Sequence, residues 1–337
     1  MSRIKSNVQG GLKTMSYAKR LQVFMFGAAI MAAASHGALA GGNGKVAFLS
    51  AGQGFTFPPA VGRGAVEEGK SAGVQVDIFD ANNSVDKQAN QVDDIITQGY
   101  SGVLFFPVDG RVSVPLVAKL AAAGIPVIAT SSQIGDASKE PMDAVPTSLV
   151  AYVAHDNVNS GRTIGTFATT LLPKGRKAKI AIVEGAAGYS DVVTRNNGFK
   201  EALDAAHASY EIVASQPADW MADKAETVCA NMLTSKPDID LIFADADSMG
   251  AGCARAVKAA GSNIPIVSID GNTDGITALK AGGIAATVCN RPESIGHKSF
   301  QVLYQQISGK FDRKGALFVV PNFLVTKDNV DDCKPQF

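Results

Sequence analysis

Short apolar runs, each ended by an acid, a proline or a glycine-containing turn, alternate along this chain with longer segments whose apolar residues recur at helical spacing. The alternation predicts strands over 45–50, 74–79, 102–106 and 127–130, with helices over 60–72, 86–98 and 113–123 between them. Residues 133–150 are rich in Pro, Asp and Ser and read as a surface connector. The pattern then restarts. Helices are expected over 158–172, 191–206, 221–235, 248–260, 276–280 and 293–308. Strands are expected over 179–184, 212–216, 241–244, 266–269 and 284–289, and 318–325 reads as extended. Repeated β-α units with short joints imply a parallel sheet covered by helices on both faces. Because the unit series occurs twice, the expected fold is α/β with two similar doubly wound parallel-sheet lobes.

Residues 1–40 stand apart. They hold Arg3, Lys5, Lys13, Lys19 and Arg20 and no acid, followed by an apolar run from Leu21 to Ala34 and a small-residue stretch ending at Ala40. A basic head, an apolar middle too short to span a bilayer and a small-x-small site read as a signal peptide cut after Ala40, which places the mature chain in the periplasm. Met15 is an alternative start with a shorter basic head. Taking the five basic residues of this leader from the 31 in the chain leaves 26 against 31 acidic ones. Such a balance argues against nucleic acid or an anionic membrane as partner. The four cysteines show no metal-site spacing, so no metal or cofactor is expected. Cys229 and Cys253 fall on the helices either side of the 241–244 strand, where a disulfide is possible, with buried free thiols as the alternative.

The chemistry converges on Ile266-Val267-Ser268-Ile269-Asp270-Gly271, an apolar run that ends in an acid and a glycine. Ligands of open parallel sheets bind beyond the carboxyl ends of the strands, which aims Asp270 at a ligand. The plainer alternative is that Asp270 only caps the next helix.

Several segments together resemble the ribose-binding-like class of periplasmic sugar-binding proteins of ABC importers. They are Ala154-His155-Asp156-Asn157, Arg195-Asn196-Asn197-Gly198-Phe199, Ser215 to Trp220, Phe243 to Gly250, Ile269-Asp270-Gly271 and Ala285 to Asn290. The resemblance implies a three-segment hinge with crossings near His155, Asn290 and Phe323. It divides the chain into a first lobe of 43–154 plus 291–322 and a second of 155–290 plus 323–337. It also implies a small neutral sugar or polyol as ligand, a membrane permease as partner with a chemoreceptor as the alternative, and a monomer. Cys289 and Cys333 would pair only if the end of the chain returns to the hinge.

The same resemblance makes Arg195 and Asp270 ligand-binding and puts Asn290 at the hinge beside the ligand. Trp220 and Phe57 are then aromatic covers, and Phe55 stands where the class has a hydrogen-bonding Asn; Tyr189, at the tip of the 185–190 loop, is a further candidate. Two departures matter. The class carries an Asp-Arg pair after the fourth strand, where this chain has Ser131 and Ser132. Its Asn at the end of the 241–244 strand is Ala246 here, between Asp245, a further ligand candidate, and Asp247, read as a helix cap. The first lobe has thus lost charge and gained aromatic surface, which favours another monosaccharide or a sugar alcohol over ribose. An enzyme would need a nucleophile with its base, paired carboxylates or a metal cluster, and no such spacing is present; Gly52-Gln53-Gly54 is a weak nucleotide signal. A sugar-responsive repressor would need a DNA-binding head where the leader stands.

Overall fold

The computed structural model describes residues 44–337, so the expected signal peptide and its cut after Ala40 lie outside the described residues. The first lobe opens as alternating β1 (Lys45–Ser50), α1 (Phe57–Ser71), β2 (Gln75–Asp80), α2 (Val85–Gln98), β3 (Gly102–Phe105), α3 (Ser113–Ala122), β4 (Val127–Thr130) and β5 (Ala151–Ala154). The second comprises α4 (Asn157–Thr169), β6 (Ala178–Glu184), α5 (Ser190–Ala205), β7 (Tyr210–Pro217), α6 (Ala222–Ser235), β8 (Leu241–Ala244), α7 (Asp247–Ala259), β9 (Ile266–Val267), α8 (Thr273–Ala281) and β10 (Thr287–Cys289). Then come α9 (Pro292–Ile307), β11 (Ala316–Val319), β12 (Phe323–Val325) and a 3-10 turn over Lys327–Asp332.

The strands form a six-stranded sheet, β11-β5-β4-β3-β1-β2, and a four-stranded one, β7-β6-β8-β9, each parallel throughout. Side chains of a strand alternate between faces, so each central strand feeds two cores. Val46 and Phe48 of β1 pack with Leu104 on one face, while Ala47 and Leu49 pack with Val103 and Phe105 on the other. That is why β1 and β3 read as continuous apolar runs rather than as alternation.

The chain passes between the lobes three times: from β5 to α4, from β10 to α9, and from β11 to β12. β10 and β12 pair antiparallel at the crossing. His155, buried on the first crossing, ties all three. Its Nε2 accepts the backbone N–H of Arg291 at 2.9 Å, which leaves Nδ1 protonated to donate to the carbonyl of Val320 at 2.8 Å. Asn322 adds a second tie, donating from Nδ2 to Asn290 Oδ1 at 3.0 Å and to Ser160 Oγ at 2.7 Å.

Several expectations need correction. β5 follows directly on the irregular 133–150 connector, in a segment to which the sequence pattern assigns no element before the helix expected at 158. α1 starts at Phe57 rather than at residue 60, because Pro58 and Pro59 fit a first helical turn that needs no N–H donor. The runs over 266–269 and 284–289 shorten to β9 and β10, extended by isolated bridges at Val267–Ala286 and Asp270–Cys289. The disulfide expected between Cys229 of α6 and Cys253 of α7 is present, and the end of the chain returns to the hinge, where Cys289 of β10 is bonded to Cys333.

Candidate ligand-binding cleft

Turns at the carboxyl ends of both sheets face one another across a cleft of about 520 Å³, counting its open mouth. From the first lobe come Phe55, Thr56, Phe57 and Pro58 beyond β1, Phe106 beyond β3, and Ser131 and Ser132 beyond β4. From the second come Tyr189, Asp191 and Arg195 at the start of α5, Trp220 beyond β7, Ala246 and Ser248 beyond β8, and Asp270 beyond β9. Eight of the ten residues singled out by sequence therefore line one space: Phe55, Phe57, Ser131, Ser132, Tyr189, Arg195, Trp220 and Asp270.

Arg195 is the organising charge. Its Nη2 stands 3.2 Å from Asp270 Oδ1, its Nε donates to Asn157 Oδ1 at 3.0 Å, and its Nη1 donates to the backbone carbonyl of Asp245. Burial opposes the guanidinium's charge, but Asp270, Asp191 and Asp245 outweigh it and raise its pKa. Burial pushes the Asp270 carboxyl up to about 7, with Arg195 pulling the other way. The backbone of Asp270 has φ of 141°, a region that L residues rarely occupy. It is held there because its N–H donates to Val288 O and its carbonyl accepts from Asn290 N, each at 2.9 Å.

Asp247 departs from the expectation of a helix cap. It does not cap α7. Its Oδ1 instead accepts from the Ser268 and Thr287 hydroxyls and its Oδ2 accepts the N–H of Gly271 at 2.7 Å. It thereby clamps the turn that presents Asp270. Gly271, at φ 68°, has no room for a side chain: a Cβ would lie 2.6 Å from Cys333 Sγ and 2.8 Å from Cys289 Cα. The disulfide is thus the backing plate of this turn.

Asp245 and Asn290 do not line the cleft. Asp245 is fully buried, its Oδ2 accepting the Gly185 N–H at 3.0 Å and its Oδ1 without a partner. Burial pushes its carboxyl up to about 8 against the opposing Gly185 bond and Arg195. Asn290 reaches the cleft only through Asp270, to whose Oδ1 it donates at 3.1 Å.

Sequence reading missed Asp191. It stands one turn before Arg195 on the same helix, and that four-residue spacing was the available signal. Asp191 Oδ1 accepts from Asn157 Nδ2 at 2.9 Å, and its Oδ2 accepts from the Ser132 hydroxyl of the opposite lobe. Nearby, Gln133 N donates to Ser190 Oγ at 2.9 Å, Tyr189 Oη donates to Asn83 Oδ1 at 3.0 Å, and Gly110 N donates to Gly188 O at 3.3 Å. The start of α5 therefore meets the first lobe directly, and the cleft is closed along this side. Phe106, Thr56 and Ser248 were also missed, because none of them carries a charge or an isolated aromatic in a loop motif.

Trp220 is held edge-on by Tyr189, with ring centres 5.8 Å apart, and the Arg195 guanidinium stands 5.9 Å from its ring. Beneath it lies Gly185, where a Cβ would fall 2.1 Å from the indole. Phe57 packs edge-on against Phe106 at 6.4 Å. The result is a small chamber with polar groups gathered on the second lobe and apolar rings on both.

Residues 46–311 match the model of the periplasmic binding protein domain. Among curated proteins the chain is 35% identical to the ribose import binding protein RbsB of Haemophilus influenzae, over 69% of this chain and 75% of that one. It is 32% identical to the xylitol-binding protein of Mycolicibacterium smegmatis, over 74% of this chain and 68% of that one. Among solved structures it superposes on a Caulobacter myo-inositol binding protein with a TM-score of 0.77 and 25% identity, covering 86% of this chain and 96% of that one. Two wound lobes, three crossings and this match over most of the sequence lead to one conclusion: the chain belongs to the periplasmic binding protein family.

Proposed function

We propose that this protein captures a small neutral monosaccharide or sugar alcohol between its lobes in the periplasm and delivers it to the permease of an ABC importer. It is exported by the 1–40 leader and works as a monomer. Its lobes are 43–154 plus 291–322 and 155–290 plus 323–337. The observation that carries the reading is the buried Arg195–Asp270 pair facing aromatic rings across the cleft. Oδ1 of Asp270 is taken by Arg195 and Asn290, which leaves Oδ2 to accept from a ligand hydroxyl. Arg195 keeps N–H groups to donate. Hydrogen bonds to such charged groups contribute about 1.5–3 kcal/mol each. Trp220, Phe57 and Phe106 cover the ligand's C–H faces. Relatives named for ribose and xylitol support this ligand class.

Specificity follows from the first lobe. Ser131 and Ser132 bring no charge, and the Ser132 hydroxyl is already committed to Asp191. A ligand therefore gains its strong polar contacts from the second lobe alone, which favours a flexible polyol such as xylitol over ribose. Thermal unfolding of the mature protein with xylitol, myo-inositol, D-allose and D-ribose tests this. A bound ligand at 100 times its Kd is expected to add about 2.7 kcal/mol. Absence of a shift with all four sinks the reading, and ribose as the tightest of them sinks the specificity argument.

A further inference from the structure

Residues 333–337 do not line the cleft, yet they touch both lobes. Cys333 is bonded to Cys289 at the hinge. Beyond it, Gln336 Oε1 accepts the N–H of Glu293 at 3.0 Å. That N–H belongs to the first turn of α9, where helical N–H groups lack internal partners and the N-cap residue Arg291 supplies no acceptor. The Gln336 carbonyl also accepts from Arg63 of α1. One residue on, the Phe337 carbonyl accepts the N–H and the hydroxyl of Thr273, the first residue of α8, at 2.8 Å each. One dipeptide thus satisfies a helix start in each lobe. The Phe337 ring meets Phe57 edge-on, with centres 5.2 Å apart at 82°.

We propose that Gln336 and Phe337 form a fourth, non-covalent connection between the lobes, with Phe337 the positioning residue that sets the Phe57 ring in the cleft. Rotation about the three crossings carries Arg63, Glu293 and Phe57 away from Thr273. The dipeptide cannot follow both sides, because Cys333 is fixed to β10. Opening therefore uncovers a helix start in one lobe or the other and strips Phe57 of its brace. The closed state is favoured before any ligand contributes. The proposal rests on the clamp reading of the cleft, but its readout needs no ligand, so the two fail separately.

Spin labels at Arg111→Cys and Met221→Cys, one on the rim of each lobe, report the width of the mouth in the unliganded protein. The ratio of short to long distances is expected to fall about tenfold in Gln336→Ala/Phe337→Ala, the scale of one lost helix cap. Phe337→Leu, which keeps an apolar brace, is expected to restore most of it. Arg63→Ala attacks the same connection from α1 and carries the test if the double variant does not fold. An unchanged distance distribution in the folded variants overturns the proposal.

Discussion

The side-chain amide of Asn290 donates to Asp270 at 3.1 Å, and the same residue accepts from Asn322 on the third crossing. A residue that faces the cleft is thus two hydrogen bonds away from the segment about which the lobes turn. A clamp closes only if its ligand contacts differ between open and closed states. On the proposed function Asp270 makes that difference, since its charge, its strained backbone and its hinge partner all meet at one point.

Asp270→Ala is expected to weaken binding of whichever sugar or polyol the thermal panel selects by about 2–4 kcal/mol, or roughly 30- to 1000-fold. Loss of the carboxylate that forms an ion pair with the buried Arg195 charge should also lower folding stability, by about 3–5 kcal/mol for a buried pair broken on one side. Calorimetric titration and urea unfolding measure the two effects. Unchanged affinity in a folded variant removes Asp270 from the site.

Gly185→Ala tests Trp220 without touching it. The added methyl occupies the indole's place, so the ring must leave its position against Tyr189. Binding is expected to weaken by about 1 kcal/mol or more, the scale of a displaced aromatic contact, and Trp220→Ala by at least as much. Titration calorimetry on both variants decides, and full affinity in Gly185→Ala would show that the ring's placement does not matter.

Asp245 predicts an alkaline loss of stability. Its carboxyl is raised to about 8 in the folded protein, so between pH 4 and 8 the folded state holds a proton that the unfolded state has released. Stability therefore falls as pH rises through this window, by up to about 1.4 kcal/mol per pH unit. Asp245→Asn removes the titration. Urea midpoints at pH 5 and pH 9 are expected to draw closer in the variant, with the share owed to Asp270 remaining, and a slope identical to wild type would refute the assignment.

His155 acts with the opposite sign. Burial lowers its pKa to about 4, while the unfolded chain takes up a proton near 6.5, so stability is lost as pH falls from 6.5 towards 4. Protonation of Nε2 also breaks the bond from Arg291 N and loosens the tie among the crossings. His155→Gln is expected to flatten the acid limb of the unfolding profile. Retention of that limb in the variant would place the titrating group elsewhere.

Much of this was legible in the sequence because buried parallel strands and their carboxyl-end turns leave local marks. Val127–Thr130 and Leu241–Ala244 stand out as apolar runs, and Asp270, Arg195 and Trp220 stand out as polar or aromatic residues just beyond such runs or on the helices that follow. What stayed hidden depends on contacts between distant segments. Asp247 looks like a cap because it begins a helix, and only the approach of Ser268, Thr287 and Gly271 turns it into a clamp. Asp245 points back into its own lobe, which a strand-end position does not reveal. The role of Asp191 requires Ser132, 59 positions away, to arrive from the other lobe.

Trp220 is the sole tryptophan of the chain, and it forms part of the cleft wall between Tyr189 and the Arg195 guanidinium. The intrinsic ultraviolet emission excited at the red edge of the protein's absorbance therefore comes from one place, and that place is where a ligand would arrive. Nearby charge sets the colour of that light, and the rigidity of the ring's cage sets its lifetime. On the proposed function the molecule thus carries its own unlabelled optical probe of capture and release, read in real time while the rest of the fold stays dark.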